Sequence, residues 1–273
     1  MNCKSLQVHG FIENSRANHA PFAENAPMTT TQSSLSSVAE DSLRPLRIVL
    51  HGALGRMGQR LLGCISSERG YLIAQSIDRD NQLEVLPGGA DVVIDFSSDD
   101  GAMRAAQAAT TLGCALLVGT TGLSQASRDA IQRASARVPA MVAANTSLGV
   151  AVTRKLVTEA ARLLPGFDID ITETHHVRKL DAPSGTALSL AAAVTAGTGK
   201  PMNPARIHAI RAGDVVGEHV VAFSGPGERI MITHSATSRD LFALGALRMA
   251  RWLAQQPVGM HVTDEWFADF ARG

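Results

Sequence analysis

Between Leu46 and Asn145 the chain repeats one pattern: a short apolar run, a turn, then apolar residues at helical spacing. The runs are Leu46–Leu50, Tyr71–Ile77, Asp91–Phe96, Ala115–Val118 and Ala140–Ala144. Near-continuous apolar strands that alternate with helices predict a parallel sheet covered on both faces. Ser97 or Ser98 is placed to cap a helix through Ala102–Leu112, with Gly113 at its end, and Ser124 to cap one running to Ala136. After a helix from Ser147 to Leu164, closed by Pro165-Gly166, the character changes. Phe167–Glu173 alternates apolar and polar residues, and Arg206–Arg211, Gly217–Phe223 and Glu228–His234 follow with short turns. That spacing predicts a mixed or antiparallel sheet in a second domain. A sheet with one helix layer leaves a face open, and a second subunit is a natural cover. Ser238–Ala254 reads as a helix returning to the first domain.

The first turn carries chemistry. Gly52-Ala-Leu-Gly55-Arg-Met-Gly58 follows the first strand at once and opens a helix marked by Met57, Leu61, Leu62 and Ile65. A glycine turn there lets the backbone approach a pyrophosphate, which rests on the helix N-terminus. Asp78 lies 20 residues after Gly58, at the end of the next strand, where an acid reaches a ribose, and Arg79 beside it could pair a 2′-phosphate. Leu54 stands where the commonest fingerprint has its second glycine. The reading is a Rossmann-type dinucleotide-binding domain for NADPH or NADH. His51, just before the turn, has no role that the sequence explains.

A second stretch, Glu173-Thr-His-His-Val-Arg-Lys-Leu-Asp-Ala-Pro-Ser-Gly-Thr186, gathers two imidazoles, an ammonium and a carboxylate between a strand and a helix over Thr186–Val194. His and Lys together bind an anion and deliver a proton. Ser184 sits where an N-cap would, and the first N–H groups of the helix suit a carboxylate or phosphate. Lysine is scarce, so most positive charge elsewhere is arginine and Lys179 stands out beside His175 and His176.

Composition excludes several classes. Formal net charge is zero, so no basic surface for nucleic acid is implied, and aromatics at 4% argue against base-stacking platforms. No run of 18 apolar residues is present, so no membrane span is expected. Three cysteines without a CxxC pair argue against a disulfide framework or a zinc site and suit a reducing cytoplasm. Residues 1–45 lack periodicity and an apolar core, so they are expected to be a disordered extension, with Met28 as an alternative start.

These motifs, with Gly119-Thr-Thr-Gly122, Ala143-Ala-Asn-Thr-Ser-Leu-Gly149 and Ala212-Gly-Asp-Val-Val-Gly-Glu-His219, resemble the 4-hydroxy-tetrahydrodipicolinate reductase (dihydrodipicolinate reductase) family over roughly residues 46–270. The resemblance implies a dinucleotide-binding domain over 46–146, completed by 240–273, and an α+β substrate-binding and oligomerisation domain with a mixed sheet over 147–239. It implies that Gly52, Ala53, Leu54, Gly55, Arg56 and Met57 hold the pyrophosphate, Asp78 the ribose and Arg79 the 2′-phosphate. Gly119, Thr120 and Thr121, with Ala143, Ala144, Asn145 and Thr146, would flank the nicotinamide. His175 and Lys179 match the catalytic positions, either of them the proton donor. His176, Gly185 and Thr186 match positions that bind a small dicarboxylate substrate. The family is one of cytoplasmic homotetramers with no metal. The implied activity is reduction of 4-hydroxy-tetrahydrodipicolinate in lysine and diaminopimelate biosynthesis, with closure about hinges near residues 146 and 239. Two segments, Asp78–Asp91 and Lys200–Ile207, look shorter than in many members. An aspartate-dehydrogenase-like reductase and a non-catalytic NADP-binding sensor are the rival readings.

Overall fold

The computed structural model describes residues 44–272 apart from 79–82, 84, 85 and 87; the expected extension up to residue 43, and Arg79, lie outside the described residues. The first sheet is built from β1 (Leu46–His51), β2 (Tyr71–Ile77), β3 (Val92–Asp95), β4 (Ala115–Val118), β5 (Pro139–Val142) and a short β10 (Gly259–His261). Its order is β10-β5-β4-β3-β1-β2 and every pairing is parallel. The chain winds outward in both directions from β1 and β3. Their C-terminal ends therefore border the crevice where such sheets bind ligands.

Helices cover both faces, as the apolar strands require. α1 (Arg56–Ser67), α6 (Asp240–Leu253) and α7 (Thr263–Phe270) bury Leu61, Leu247, Leu253 and Trp266 against Ile48, Leu50, Ile94 and Leu117. On the other face α2 (Asp99–Leu112) and α3 (Gln125–Ser135) bury Ala102, Ala105, Ala109 and Ile131 against Val49, Val93, Leu116 and Val118. The alanines of α2 let it lie close to the strands. Ser98 rather than Ser97 caps α2, and Gly113 ends it in the left-handed conformation at φ 64. Arg44, two residues ahead of β1, forks onto the Asp91 carboxylate at 3.0 and 2.7 Å, so chain assigned to the extension is already tied to the sheet.

The second sheet holds β6 (Asp168–His175), β7 (Ile207–Arg211), β8 (Gly217–Gly225) and β9 (Glu228–Ala236) in the order β7-β6-β8-β9. The β6–β7 pair is parallel and the other two pairs are antiparallel, so the sheet is mixed. α4 (Leu148–Leu163) and α5 (Gly185–Thr198) cover one face, packing Val157, Ala187, Leu190 and Val194 on Ile171, Val221 and Phe223. The opposite face, which carries Thr174, Ile210, Ala222 and Met231, is open: Ile210 is 47% and Met231 59% exposed.

The chain passes between the sheets after β5 and again before α6. The two passages are fastened together. Thr146 Oγ1 donates to the Phe242 carbonyl at 2.7 Å, and Gly245 packs so close that a Cβ there would overlap Thr146 O.

Candidate active site

Two clusters meet where the sheets adjoin. The first grows from the glycine turn. Gly52 has φ +83, and a Cβ on it would come within 2.5 Å of Phe96 O; a Cβ on Gly58 would overlap Gly52 O. The turn can therefore fold tightly under α1 only with glycine at both positions. Ser98, Ser124, Ser147 and Ser184 cap α2, α3, α4 and α5, but the α1 cap residue, Gly55, makes no side-chain bond. α1 also has no acid in its first turn. Its N-terminal donors are thus left for an anionic ligand.

A cavity of about 430 Å³ opens over this end, lined by Gly55, Arg56 and Met57, by Gly119, Thr120 and Thr121, and by Ala143, Ala144 and Thr146. Phe96, Ser97, Ser98 and Phe242 complete its wall, and sequence reasoning did not single them out for the site. A sheet ending at Asp95 made the first three findable, because their place beside the crevice follows from the strand order. Gly119 gives the Phe96 ring its room, since a Cβ there would overlap it. Gly52 and Ala53 lie beneath the turn, and Leu54 is exposed with its N–H donating to Asp78 Oδ2 at 2.9 Å. Asp78 is thereby fixed at the rim, where the β2 end meets the turn.

His51 has a structural role. Its Nδ1 lies 3.0 Å from both Asp95 Oδ1 and Ser97 Oγ, and Ser97 Oγ also bonds Asp95. Thr120 Oγ1 donates to Asp95 Oδ2 at 2.6 Å and accepts from Ser97 N at 2.8 Å. This buried network ties the ends of β1, β3 and β4 beneath the cavity. The Thr120 hydroxyl is committed to it, although Thr120 also lines the cavity.

The second cluster sits at the end of β6. Glu173 and His175, two apart on a strand, share the helix-facing side, and register sets Glu173 beside His219 of β8 and His175 beside Arg211 of β7. Glu173 Oε1 accepts from Ser184 N and from Arg211 Nη2, each at 3.1 Å. Its Oε2 lies 2.7 Å from His175 Nδ1, off the line of an ideal bond, so neither atom has an aligned partner among the described residues. Burial pushes the Glu173 carboxyl up, but the bonds from Ser184 and Arg211 and the His175 charge outweigh it and hold the group below its usual range. Burial, Lys179 and Arg211 lower His175 against the pull of Glu173 and Asp181.

Arg211 also organises the loop, donating to the Lys179 carbonyl at 3.2 Å and the Asp181 carbonyl at 2.5 Å. Lys179 Nζ rests 2.9 Å from Asp181 Oδ1, and that bond lowers the Asp181 carboxyl. Atoms of Glu173, His175 and His219 lie within 4.8 Å of one another, a spacing that a metal ion could bridge. The Arg211 guanidinium already supplies a positive charge to Glu173, on its other oxygen, Oε1.

The clusters are joined. Asn145 Nδ2 donates to Thr186 Oγ1 at 3.0 Å, linking the loop after β5 to the first turn of α5. His176, lowered first by burial, also feels the charges of Arg239 and of Arg56 on the glycine turn. Gly185 beside Thr186 faces open space, with nothing within 4 Å of where a Cβ would stand. His175, His176, Lys179, Gly185 and Thr186 do not line the cavity themselves; Thr186 is tied to Asn145, which lies between the lining residues Ala144 and Thr146.

Comparison with known proteins follows the same division. The family model "Dihydrodipicolinate reductase, N-terminus" matches residues 46–146 and "Dihydrodipicolinate reductase, C-terminus" residues 149–265. A 4-hydroxy-tetrahydrodipicolinate reductase of Stenotrophomonas maltophilia is 44% identical over 232 residues, covering 80% of this chain and 95% of its own. One from Campylobacter jejuni is 37% identical over 238 residues, covering 81% and 98%. The solved dipicolinate-bound dihydrodipicolinate reductase of Paenisporosarcina sp. TG-14 shares the fold at TM-score 0.66 and 19% identity, over 80% of this chain and 97% of that one.

Proposed function

The chain belongs to the dihydrodipicolinate reductase family, and on that premise we propose how its residues divide the reaction. The activity is reduction of 4-hydroxy-tetrahydrodipicolinate to tetrahydrodipicolinate with NADH or NADPH and loss of water, in lysine and diaminopimelate biosynthesis. The aspartate-dehydrogenase-like and sensor readings are not favoured.

The uncapped N-terminus of α1 and the turn from Gly52 to Met57 would hold the pyrophosphate and Asp78 the ribose, and Arg79, outside the described residues, is the residue proposed for a 2′-phosphate. Gly119, Thr120 and Thr121, with Ala143, Ala144, Asn145 and Thr146, would hold the nicotinamide. Bound NAD(P)H supplies the hydride that C4 of the dehydrated, conjugated substrate ring accepts. His176, the Gly185 backbone and the Thr186 hydroxyl hold the substrate carboxylates, which the open space at Gly185 leaves room for. Lys179, paired with Asp181 here, exchanges that partner for substrate. His175 or Lys179 gives the balancing proton. The observation that supports this division is the Asn145–Thr186 bond, which ties the loop after β5 to the first turn of α5.

The test is steady-state kinetics with both cofactors on substrate generated in situ by the preceding pathway enzyme. His175→Ala and Lys179→Ala are each expected to cut kcat by about 10²–10⁴, the range of general acid help, with folding intact. Wild-type turnover in both variants removes the assignment. No helix among the described residues is long and apolar enough to cross a membrane. We place the enzyme in the cytoplasm as a homotetramer joined through the open face of the second sheet.

A further inference from the structure

Glu173 is fully buried yet ionised, and a buried carboxylate persists only with partners. Ser184 N and Arg211 satisfy one oxygen. The other faces His175 Nδ1 at 2.7 Å and, more distantly, His219 Nε2 at 4.0 Å. His219 is lowered to about 4, first by burial, so it stays neutral near pH 7 and gives Glu173 no charge. Its ring stands edge-on to His175 at 5.1 Å between centroids, an uncharged wall rather than a competitor. Across the strand, Gly217 lies against the other edge of the His175 ring, and a Cβ there would stand 3.1 Å from Nε2. One edge of the imidazole thus lies within 2.7 Å of a carboxylate oxygen, short of an aligned bond, and a glycine keeps the opposite edge clear.

We propose that Glu173 is a positioning residue: it holds His175 with the Nδ1 hydrogen turned to its carboxylate and leaves Nε2 as the atom that exchanges the catalytic proton. The inference rests on the acid role given to His175 above. In the step, the Nε2–H bond breaks with its electron pair left on the ring, and the proton joins the electron pair that the hydride addition places on the substrate. The imidazolium returns to neutral imidazole, and solvent reprotonates it. Glu173 stabilises the charged ring before transfer and remains a carboxylate throughout. The other charged groups facing His175 are Lys179 and Asp181 from the loop and Arg211 from β7, with His234 beyond His219 on β9.

The test is a double-mutant cycle between Glu173→Gln and His175→Asn, read as kcat across pH with NADPH affinity measured separately by fluorescence. Without the carboxylate, the charged ring loses its partner and holds its proton less tightly. The fall of kcat with rising pH is then expected to move to lower pH, with kcat at pH 7.5 down at least about tenfold. NADPH affinity should not change. In the His175→Asn background, Glu173→Gln should add nothing. Glu173→Asp, which keeps the charge, should restore part of the rate, and Gly217→Ala, which crowds Nε2, should lower kcat with Glu173 intact.

Wild-type kcat and pH profile in Glu173→Gln, with His175→Asn inactive, overturn the positioning role and leave the His175 assignment standing. Wild-type kcat in His175→Asn overturns that assignment itself. If Glu173→Gln does not fold, the Gly217→Ala and Glu173→Asp profiles decide: an unmoved pH limb and rate in both overturn the proposal.

Discussion

Burial, and after it the neighbouring His175, pushes the His219 imidazole down to about 4, whereas an unfolded imidazole titrates near 6.5. Between those values the unfolded chain carries a proton that the folded chain does not. Stability therefore rises with pH across that window and is lost as pH falls through it. Burial lowers His175, His176 and His234 as well, and each adds to the same trend. The melting temperature should fall between pH 7 and pH 4, and less steeply in His219→Asn; identical slopes would count against His219 as a contributor. At this scale the sequence showed what lies side by side along the chain. His175, His176, Lys179, Asp181 and the Ser184 cap are neighbours in one loop, whereas Arg211 and His219 reach Glu173 only through strand register. One signal was available: Glu173 shares the parity of Ile169 and Ile171, so an acid occupies a position that the alternation assigns to the core.

Two glycines of α1 separate packing from propensity. Gly58 presses on the turn it helps to close, while Gly63 has nothing within 4 Å of its missing Cβ. Gly58→Ala should cost about 1–3 kcal/mol by forcing the helix off the turn, and should weaken NADPH binding with it. Gly63→Ala, in the same helix, should instead stabilise by about 0.5–1 kcal/mol. Chemical denaturation with a cofactor titration checks both, and equal effects would mean that contact with the turn is not what constrains the helix. The edge strand β2 (YLIAQSI) is only partly buried, whereas β1, β3, β4 and β5 were legible because burial makes them almost wholly apolar. β10 and α7 were not. β10 is a three-residue strand without alternation, and it exists because the β5 edge accepts it at Gly259–Pro139, Met260–Ala140 and His261–Met141.

The open face of the second sheet bears on the whole molecule. Ile210 and Met231 stand exposed on a flat strand surface, and a sheet face of this kind is stabilised by a covering partner. The solution mass by light scattering should correspond to four chains, and Met231→Glu, a charge on that face, should reduce it; a wild-type monomer would exclude the assembly. That one face stays open followed from counting helices in the sequence, but the number of subunits did not. The two sheets also differ in how their strands are spread along the chain. β6 to β9 and the helices that cover them run without interruption from Leu148 to Ala236, whereas the first sheet waits for α6, β10 and α7, and Trp266 of α7 sits sealed in its core. On the ribosome, then, the five strands made earliest lack part of their hydrophobic cover until the final turns emerge. The half synthesised second has everything it needs to fold before the half synthesised first can close.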